Sequence, residues 1–506
     1  MENTYNLLDE KWIPIAGSGR ASLLDIFSDH THGSIGGTAI QKISLLKLFL
    51  AIAQSAHTPQ DDDEWKALGP EGMADACISY LEKRRDKFWL YGEHPFLQIP
   101  ALRYRKNLKG EDPLRYDRFR PYLPDVSSAN DSILFDVQID RVPEDWEKAL
   151  MLVSLMNYAP GGKRVENIGA LSESYSGKGS SAKSGPSLGG YVGFLNTCLW
   201  SDSILNTIYL NLFTHESIRE MSFWSDLSVV PPWDDMPRTE DDEAAVRIKN
   251  SIMGSLCALS RFVLFTRSGM IYAEGIQYPS HKAGWRESFF AWNSKDKFLW
   301  IDTEKKPWRN LVSLLSIPMG ESSDGYQCPQ VTHFWRRGRE RLETIGVWSG
   351  GLQVRGTAGD QSVKQKDDFV ESAVLIPSDL IGKSWFTSLS NEVRLLEKGA
   401  YILTNSAKKY LVELKRLRED ATRRDPVLEK IAYDYWELTG ELLNEVINYC
   451  EDEDRMNELH NQVRKIVSGL YNRYCPFQSS RQMAAWAKFR PRIQKSTIRE
   501  ATVARD

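Results

Sequence analysis

The residues here that could do chemistry are cations, amides and rings set among glycines, not a nucleophile beside its base. Between Arg103 and Tyr122, Arg103, Arg105, Lys106, Lys109, Arg115, Arg118 and Arg120 are interleaved with Tyr104, Tyr116 and Phe119. Cations neutralise phosphates while rings stack on bases, which are two of the contacts a nucleic acid offers. The other reading is a solvated loop whose arginines pair with Glu111, Asp112 and Asp117. His333-Phe334-Trp335-Arg336-Arg337-Gly338-Arg339-Glu340-Arg341 repeats the pattern, either facing phosphate or forming an exposed basic helix face beside a buried Trp335. From Ser174 to Gly190, glycines at 177, 179, 185, 189 and 190 flank Lys178 and Lys183. The stretch from Trp348 through Gly350-Gly351, Gly356 and Gly359 to Gln361 and Ser362 is a second glycine-rich segment. Small residues let a backbone come close to another surface, and an amide both donates and accepts in the minor groove, so a glycine loop with one protruding amide makes a wedge. An ordinary β-turn connection is the alternative.

Signatures of catalysis are missing. Eight histidines, at 30, 32, 57, 94, 215, 281, 333 and 460, form no His-Asp step, no His-x-x-x-His pair and no Glu-x-x-His pair. Those spacings put metal ligands on one helical face. Gly-x-Ser-x-Gly and the Gly-x-x-x-x-Gly-Lys-Ser/Thr phosphate cradle are also absent, and Ser176 to Ser181 lacks the strand such a cradle needs. The six cysteines contain no Cys-x-x-Cys pair, which argues against a zinc knuckle or redox dithiol and for a reducing cytoplasm. The protein is therefore expected to be no enzyme. A metal-dependent nuclease or hydrolase with an unrecognised site is the rival, and a scaffold that never touches nucleic acid is the third reading.

The elements that position these segments follow from composition and periodicity. The 506 residues are 42% apolar and 26% charged, enough for a packed core, and 64 Lys+Arg against 68 Asp+Glu leave a net charge of -4. So balanced a chain is no free-standing polyanion binder, and any grip on nucleic acid must be local or shared with partners. The start, Met1 to Asn6, is unlike a signal peptide, and no run of about 18 apolar residues predicts a membrane span. Residues 5–30 predict a strand hairpin with Pro14 at an edge. Helices are predicted over 40–56, 73–89, 144–156 and 195–213, and irregular structure over 92–135. An acidic solvated loop is expected over 233–243, and strands at 261–265 and 297–301. Past about 380, helical periods at 386–419, 425–451, 453–474 and 479–500 predict an antiparallel four-helix bundle whose last helix carries Arg481, Lys488, Arg490, Arg492, Lys495 and Arg499. The expected fold class is α+β, with a mixed domain of irregular loops and short sheets over 1–380 and the bundle over 381–506.

Tyr5-Asn6-Leu7-Leu8-Asp9-Glu10-Lys11-Trp12-Ile13-Pro14-Ile15 resembles the Asn-Leu-Leu-x-x-x-Trp-Ile-Pro-Val opening of the CasA family, the large subunit of type I-E CRISPR Cascade. Glu93-His94-Pro95-Phe96-Leu97-Gln98 is similar to the family's Glu-His-Pro-Phe-x-Gln motif. Gly177 to Pro186 stands where the family has a Gly/Lys-rich loop, ahead of a helix resembling Leu205 to Leu212. The Gly350-Gly351 loop and the C-terminal bundle complete a likeness over essentially the whole chain.

The resemblance implies a non-catalytic subunit of an RNA-guided surveillance complex. Such a subunit recognises the protospacer-adjacent motif (PAM) on double-stranded DNA, begins strand separation and helps recruit a helicase-nuclease. Guide pairing reads the sequence while protein reads the motif and backbone. By position, Gly359, Asp360 and Gln361 resemble the wedge loop, although the usual Asn-Gln-Ala order is not reproduced. Gly179 and Ser180 resemble the glycine loop at the minor groove, and Lys282 the minor-groove lysine. Leu134 and Phe135, within Ile133 to Asp136, resemble the contact to the guide RNA handle. Lys178, Lys183, Arg336, Arg337, Lys488, Arg490 and Arg492 are expected along the DNA backbone. Expected partners are crRNA, the other Cascade subunits, target DNA and the helicase-nuclease, with no membrane. Several relatives carry a Cys-x-x-Cys zinc knuckle in the strand-rich region. Residues 258–300 have no cysteine here, so neither metal nor cofactor is expected.

Overall fold

The computed structural model describes residues 2–104, 115–116, 143–158, 171–172, 193–266, 269–279, 281–320, 325–340, 342–353, 368–422 and 425–492. The chain divides into two compact units. One comprises Met1–Leu314, Tyr326–Arg337 and Thr344–Leu375; the other comprises Leu315–Gly325, Gly338–Glu343 and Ile376–Asp506.

In the first unit the opening motif pins two small sheets to the core. Thr4–Asn6 pairs antiparallel with Trp89–Tyr91, while Ile13–Ile15 and Gly19–Ala21 form the expected hairpin with Pro14 on a two-stranded edge. Leu7, Leu8, Trp12 and Ile13 are fully buried, and the Trp12 indole donates to the Leu7 carbonyl. The Ala39–Ala56 helix starts at a capping box, in which Thr38 and Gln41 each satisfy the other's backbone N–H. It is long and apolar enough to cross a membrane, yet most of it is buried. It serves as a core helix, apolar all round, packed against the Asp62–Lys83 and Asp145–Tyr158 helices and the Thr344–Gln353 strand. The Asp62–Lys83 helix begins 11 residues before the predicted 73 and bends where Gly69 takes φ +63° ahead of Pro70.

Three expectations need correcting. Within the predicted 195–213 helix, Asn196–Trp200 is a strand and only Ile204–Leu210 is helical, entered through the Ser203 cap. Every residue of that strand is buried, and a short run buried on both faces carries no period that separates strand from helix. Gly350 and Gly351 are not loop residues either. They belong to the Thr344–Gln353 strand, which pairs antiparallel with Asn196–Trp200, Gly350 opposite Asn196 and Trp348 opposite Cys198. Gly346 and Gly350 lie against the Val374 and Val370 carbonyls of the neighbouring Asp368–Pro377 strand, so these glycines serve backbone approach inside a sheet. The acidic 233–243 stretch is not wholly solvated: Glu240 is buried and its carboxylate accepts the backbone N–H groups of Leu171 and Ser172. The predicted strand at 261–265 is present, as Arg261–Phe265 in a sheet with Met270–Glu274 and Arg115–Tyr116. Residues 297–301 are extended but make only isolated bridges.

The second unit holds the Lys383–Glu413, Pro426–Gly440, Leu443–Tyr449, Glu453–Tyr474 and Ser480–Phe489 helices. The predicted 425–451 helix breaks at 441–442, and the last described helix ends at Phe489. Asp425 followed by Pro426, Asp452, and a Ser479–Gln482 capping box start three of them. The 31-residue Lys383–Glu413 helix packs against the others. Gly399 lets it come close: any side chain there would meet the Tyr435 hydroxyl, which donates to the Leu396 carbonyl at 2.8 Å.

Candidate nucleic-acid interface

The described ends of three expected DNA-contacting segments meet around one ring, Phe194. Gly193 ends the 173–192 stretch containing Gly179 and Ser180, Gln353 leads into the 354–367 stretch containing Gln361, and Lys282 lies on the His281–Ala283 turn. A Cβ on Gly193 would stand 2.4 Å from the Leu352 carbonyl oxygen, so the first and second stems touch through backbone. The His281 ring meets Phe194 edge-on at 5.0 Å, which brings in the third.

An extended segment binds the stems together. The Leu195 N–H donates to the Leu299 carbonyl and the Ile301 N–H to the Gly193 carbonyl, both at 3.0 Å; Gln353 accepts from the Thr303 N–H at 3.0 Å. Phe194 then packs between Phe290 at 4.7 Å, Phe298 at 5.1 Å and Trp300 at 4.3 Å. Phe194, Phe290, Trp292 and Phe298 form a small core of their own, separate from the main one of this unit. Such ring clusters are stiff, because large rings interlock in few rotamers.

Charge is arranged around this core. Arg286 lies over the Trp292 and Phe298 rings, donates to the His281 and Trp285 carbonyls and pairs with Asp296 at 2.9 Å, which ties the Lys282 turn to the cluster. Burial, with Lys282 and Arg286 nearby, lowers the His281 pKa, so its ring is neutral at pH 7. Lys282 itself is exposed. Beneath, Lys47 and Glu287 form a buried ion pair of 2.6 Å, with the ammonium over the Tyr158 and Phe289 rings. Burial lowers the lysine and raises the glutamate, each opposed by the other's charge. The Tyr158 hydroxyl donates to Asn196 at 2.6 Å, so the charged layer reaches the strand just past Phe194.

Among the remaining expected residues, Arg337 must be reassigned. It is 3% exposed; its guanidinium donates to the Leu210 and Leu212 carbonyls and lies 4.5 Å over Trp65, with burial holding its pKa at about 9. A basic run says nothing of which arginine turns inward, and here Arg337 binds helix-end carbonyls instead of DNA. Arg336 is exposed but pairs with Asp62. In the second unit Lys488 pairs with Glu413 at 3.1 Å, Arg490 lies over Trp486, and Lys488, Arg490 and Arg492 are all exposed. Lys178, Gly179, Ser180, Lys183, Leu134, Phe135, Gly359, Asp360 and Gln361 lie outside the described residues. All six cysteines are buried and unpaired, and no group of three or more His, Cys, Asp or Glu among the described residues could hold a metal. Sequence reasoning missed the Phe194 cluster, Lys47–Glu287 and Glu240. Phe298-Leu299-Trp300 carried a signal, two aromatics on one face of an extended run; Lys47, set inside the apolar stretch from Leu45 to Ala53, carried another.

The family model for the CRISPR-associated protein Cse1 matches residues 6–470. CasA/Cse1 of Thermus thermophilus is 30% identical over 242 residues, an alignment spanning 45% of this chain and 42% of that relative. The crystal structure of Thermobifida fusca Cse1 superposes with a TM-score of 0.71 at 20% identity, over 98% of this chain and 97% of that one. A chain of a CRISPR RNA-guided surveillance complex superposes with a TM-score of 0.66 at 13% identity, over 98% and 100%. At those identities the two structures speak for the fold, while the family match spans the opening motif, the Phe194 stems and most of the helical unit. This chain belongs to the CRISPR-associated Cse1 family.

Proposed function

We propose that this chain is the non-catalytic large subunit of a type I-E Cascade, which recognises the PAM in double-stranded target DNA, starts strand separation beside it and helps recruit the helicase-nuclease in the cytoplasm. The observation that carries this reading is the meeting at Phe194 of the stems leading to the glycine loop, the wedge loop and Lys282. A wedge must offset a few kcal/mol per unstacked step. A stiff aromatic base suits that task, because force on the loops is then spent on the duplex instead of on repacking their supports. Gly179, Ser180 and Lys282 would read the minor groove, Gln361 with Gly359 and Asp360 would enter the stack, and Lys178, Lys183 and Arg336 would take phosphates. The guide heteroduplex then makes further opening nearly balanced.

A near-neutral chain suits such a division of labour, since crRNA-bearing partner subunits can carry most of the phosphate neutralisation. Leu134 and Phe135 would anchor the chain to the guide handle, and the C-terminal helices, read as a four-helix bundle, would lay Lys488, Arg490 and Arg492 along the duplex. The test uses the assembled complex: Lys282→Ala and Gln361→Ala are expected to weaken binding of a duplex target at least tenfold while sparing one whose strands are already separated at the motif. Equal losses on both targets, or metal-dependent nicking by the purified chain, would overturn the reading.

A further inference from the structure

Trp300 is the one described tryptophan that folding leaves exposed, with 39% of its surface open, where Trp12, Trp65 and Trp348 are buried. An indole held this way is neither core nor mobile. Phe194 lies against it at 4.3 Å with the rings tilted by 33°, and the neutral His281 meets it edge-on at 5.6 Å and 83°. Its backbone is clamped on both sides by the Leu195–Leu299 and Gly193–Ile301 hydrogen bonds. A large apolar ring kept in water but fixed in orientation has already lost its rotamer entropy, so a flat partner can stack on it at little further cost. Exposed cations flank it: Lys282 follows His281, and Lys297 begins the same extended segment.

We propose that Trp300 is a stacking platform for one unpaired nucleobase of the displaced DNA strand. This rests on the strand-opening reading above. Opening a pair beside the motif frees two bases; the guide pairs with one, and the other is left without a partner. Base–aromatic stacking is indifferent to sequence because every base has a π-face, as a subunit serving many targets requires. Such a platform would slow reclosure by holding the freed base, a role separate from motif recognition.

The experiment uses the guide-loaded complex and targets in which the first displaced-strand bases are replaced, one at a time, by 2-aminopurine. Quenching at one position is expected with the natural chain. It should be largely kept by Trp300→Phe and lost by Trp300→Leu, with reclosure at least tenfold faster in Trp300→Leu. Motif recognition is read separately on an interstrand-crosslinked duplex that cannot open, where Trp300→Phe, which keeps a ring against Phe194, should bind like the natural chain. Unchanged quenching in Trp300→Leu, or none at any position, overturns the platform, while crosslinked-duplex binding leaves the motif-recognition part of that reading standing. Failure of the natural chain's complex to bind the crosslinked motif overturns both.

Discussion

Gly193 and Leu352 stand so close that a Cβ on the glycine would lie 2.4 Å from the Leu352 carbonyl oxygen, with Ile301 Cδ1 at 2.8 Å on the other side. Backbone cannot yield as a flexible side chain can. Gly193→Ala is therefore expected to destabilise the protein by ~1–3 kcal/mol through overpacking. It should also lower binding to intact duplex more than to a pre-opened target. Thermal unfolding and the two binding assays check this; an unchanged midpoint together with unchanged duplex binding would show that the stems do not depend on their close approach.

Lys47 and Glu287 are 4% and 1% exposed at 2.6 Å, so removing one partner strands a buried charge. Lys47→Met alone should cost ~3–5 kcal/mol, whereas Lys47→Met with Glu287→Leu should recover most of it. Denaturant titration of the two singles and the double gives the coupling, and additive losses would contradict it.

His333 is held down to about 3 by burial and then by Arg337, from an ordinary 6.5. The Arg336 guanidinium donates toward its Nδ1 at 3.3 Å, which suits a neutral ring. A base with a depressed folded-state pKa binds more protons unfolded, so its contribution is fully present above pH 6.5 and is lost as pH falls from there toward 3. Stability measured between about pH 7.5 and 5 should therefore drop more steeply in the natural chain than in His333→Gln. Parallel curves would remove His333 as the cause.

Arg337→Ala should cost ~2–5 kcal/mol, because two carbonyls and the Trp65 face lose their partner. Arg336→Ala, at an exposed ion pair, should cost about 1 kcal/mol or less. Unfolding curves for the two variants decide whether this basic run is half structural; equal effects would refute the assignment.

Replacing Arg490 and Arg492 by Glu should lower the affinity of the assembled complex for long duplexes. It should also reduce the slope of log K against log salt by about 1 per lost phosphate contact. Competition binding across a salt series measures the slope, and an unchanged slope would mean that these residues face protein.

Local chemistry made much of this molecule legible. The Ile13–Ala21 hairpin, the Ala39–Ala56 and Asp145–Tyr158 helices and the C-terminal helical periods each announce themselves within a dozen or two residues, through caps, turns and apolar spacing. The opening and Glu-His-Pro-Phe motifs carried the family. Asn196–Trp200 was not legible, since what makes it a strand is its partner at Gly346–Gly350, about 150 residues away. The inward turn of Arg337, the burial of Glu240 and the joining of Gly193, His281 and Leu352 at one ring likewise depend on atoms far off in sequence. Periodicity and capping are properties of neighbours along the chain; burial, charge pairing and the meeting of distant stems are properties of neighbours in space, which only the packed fold creates.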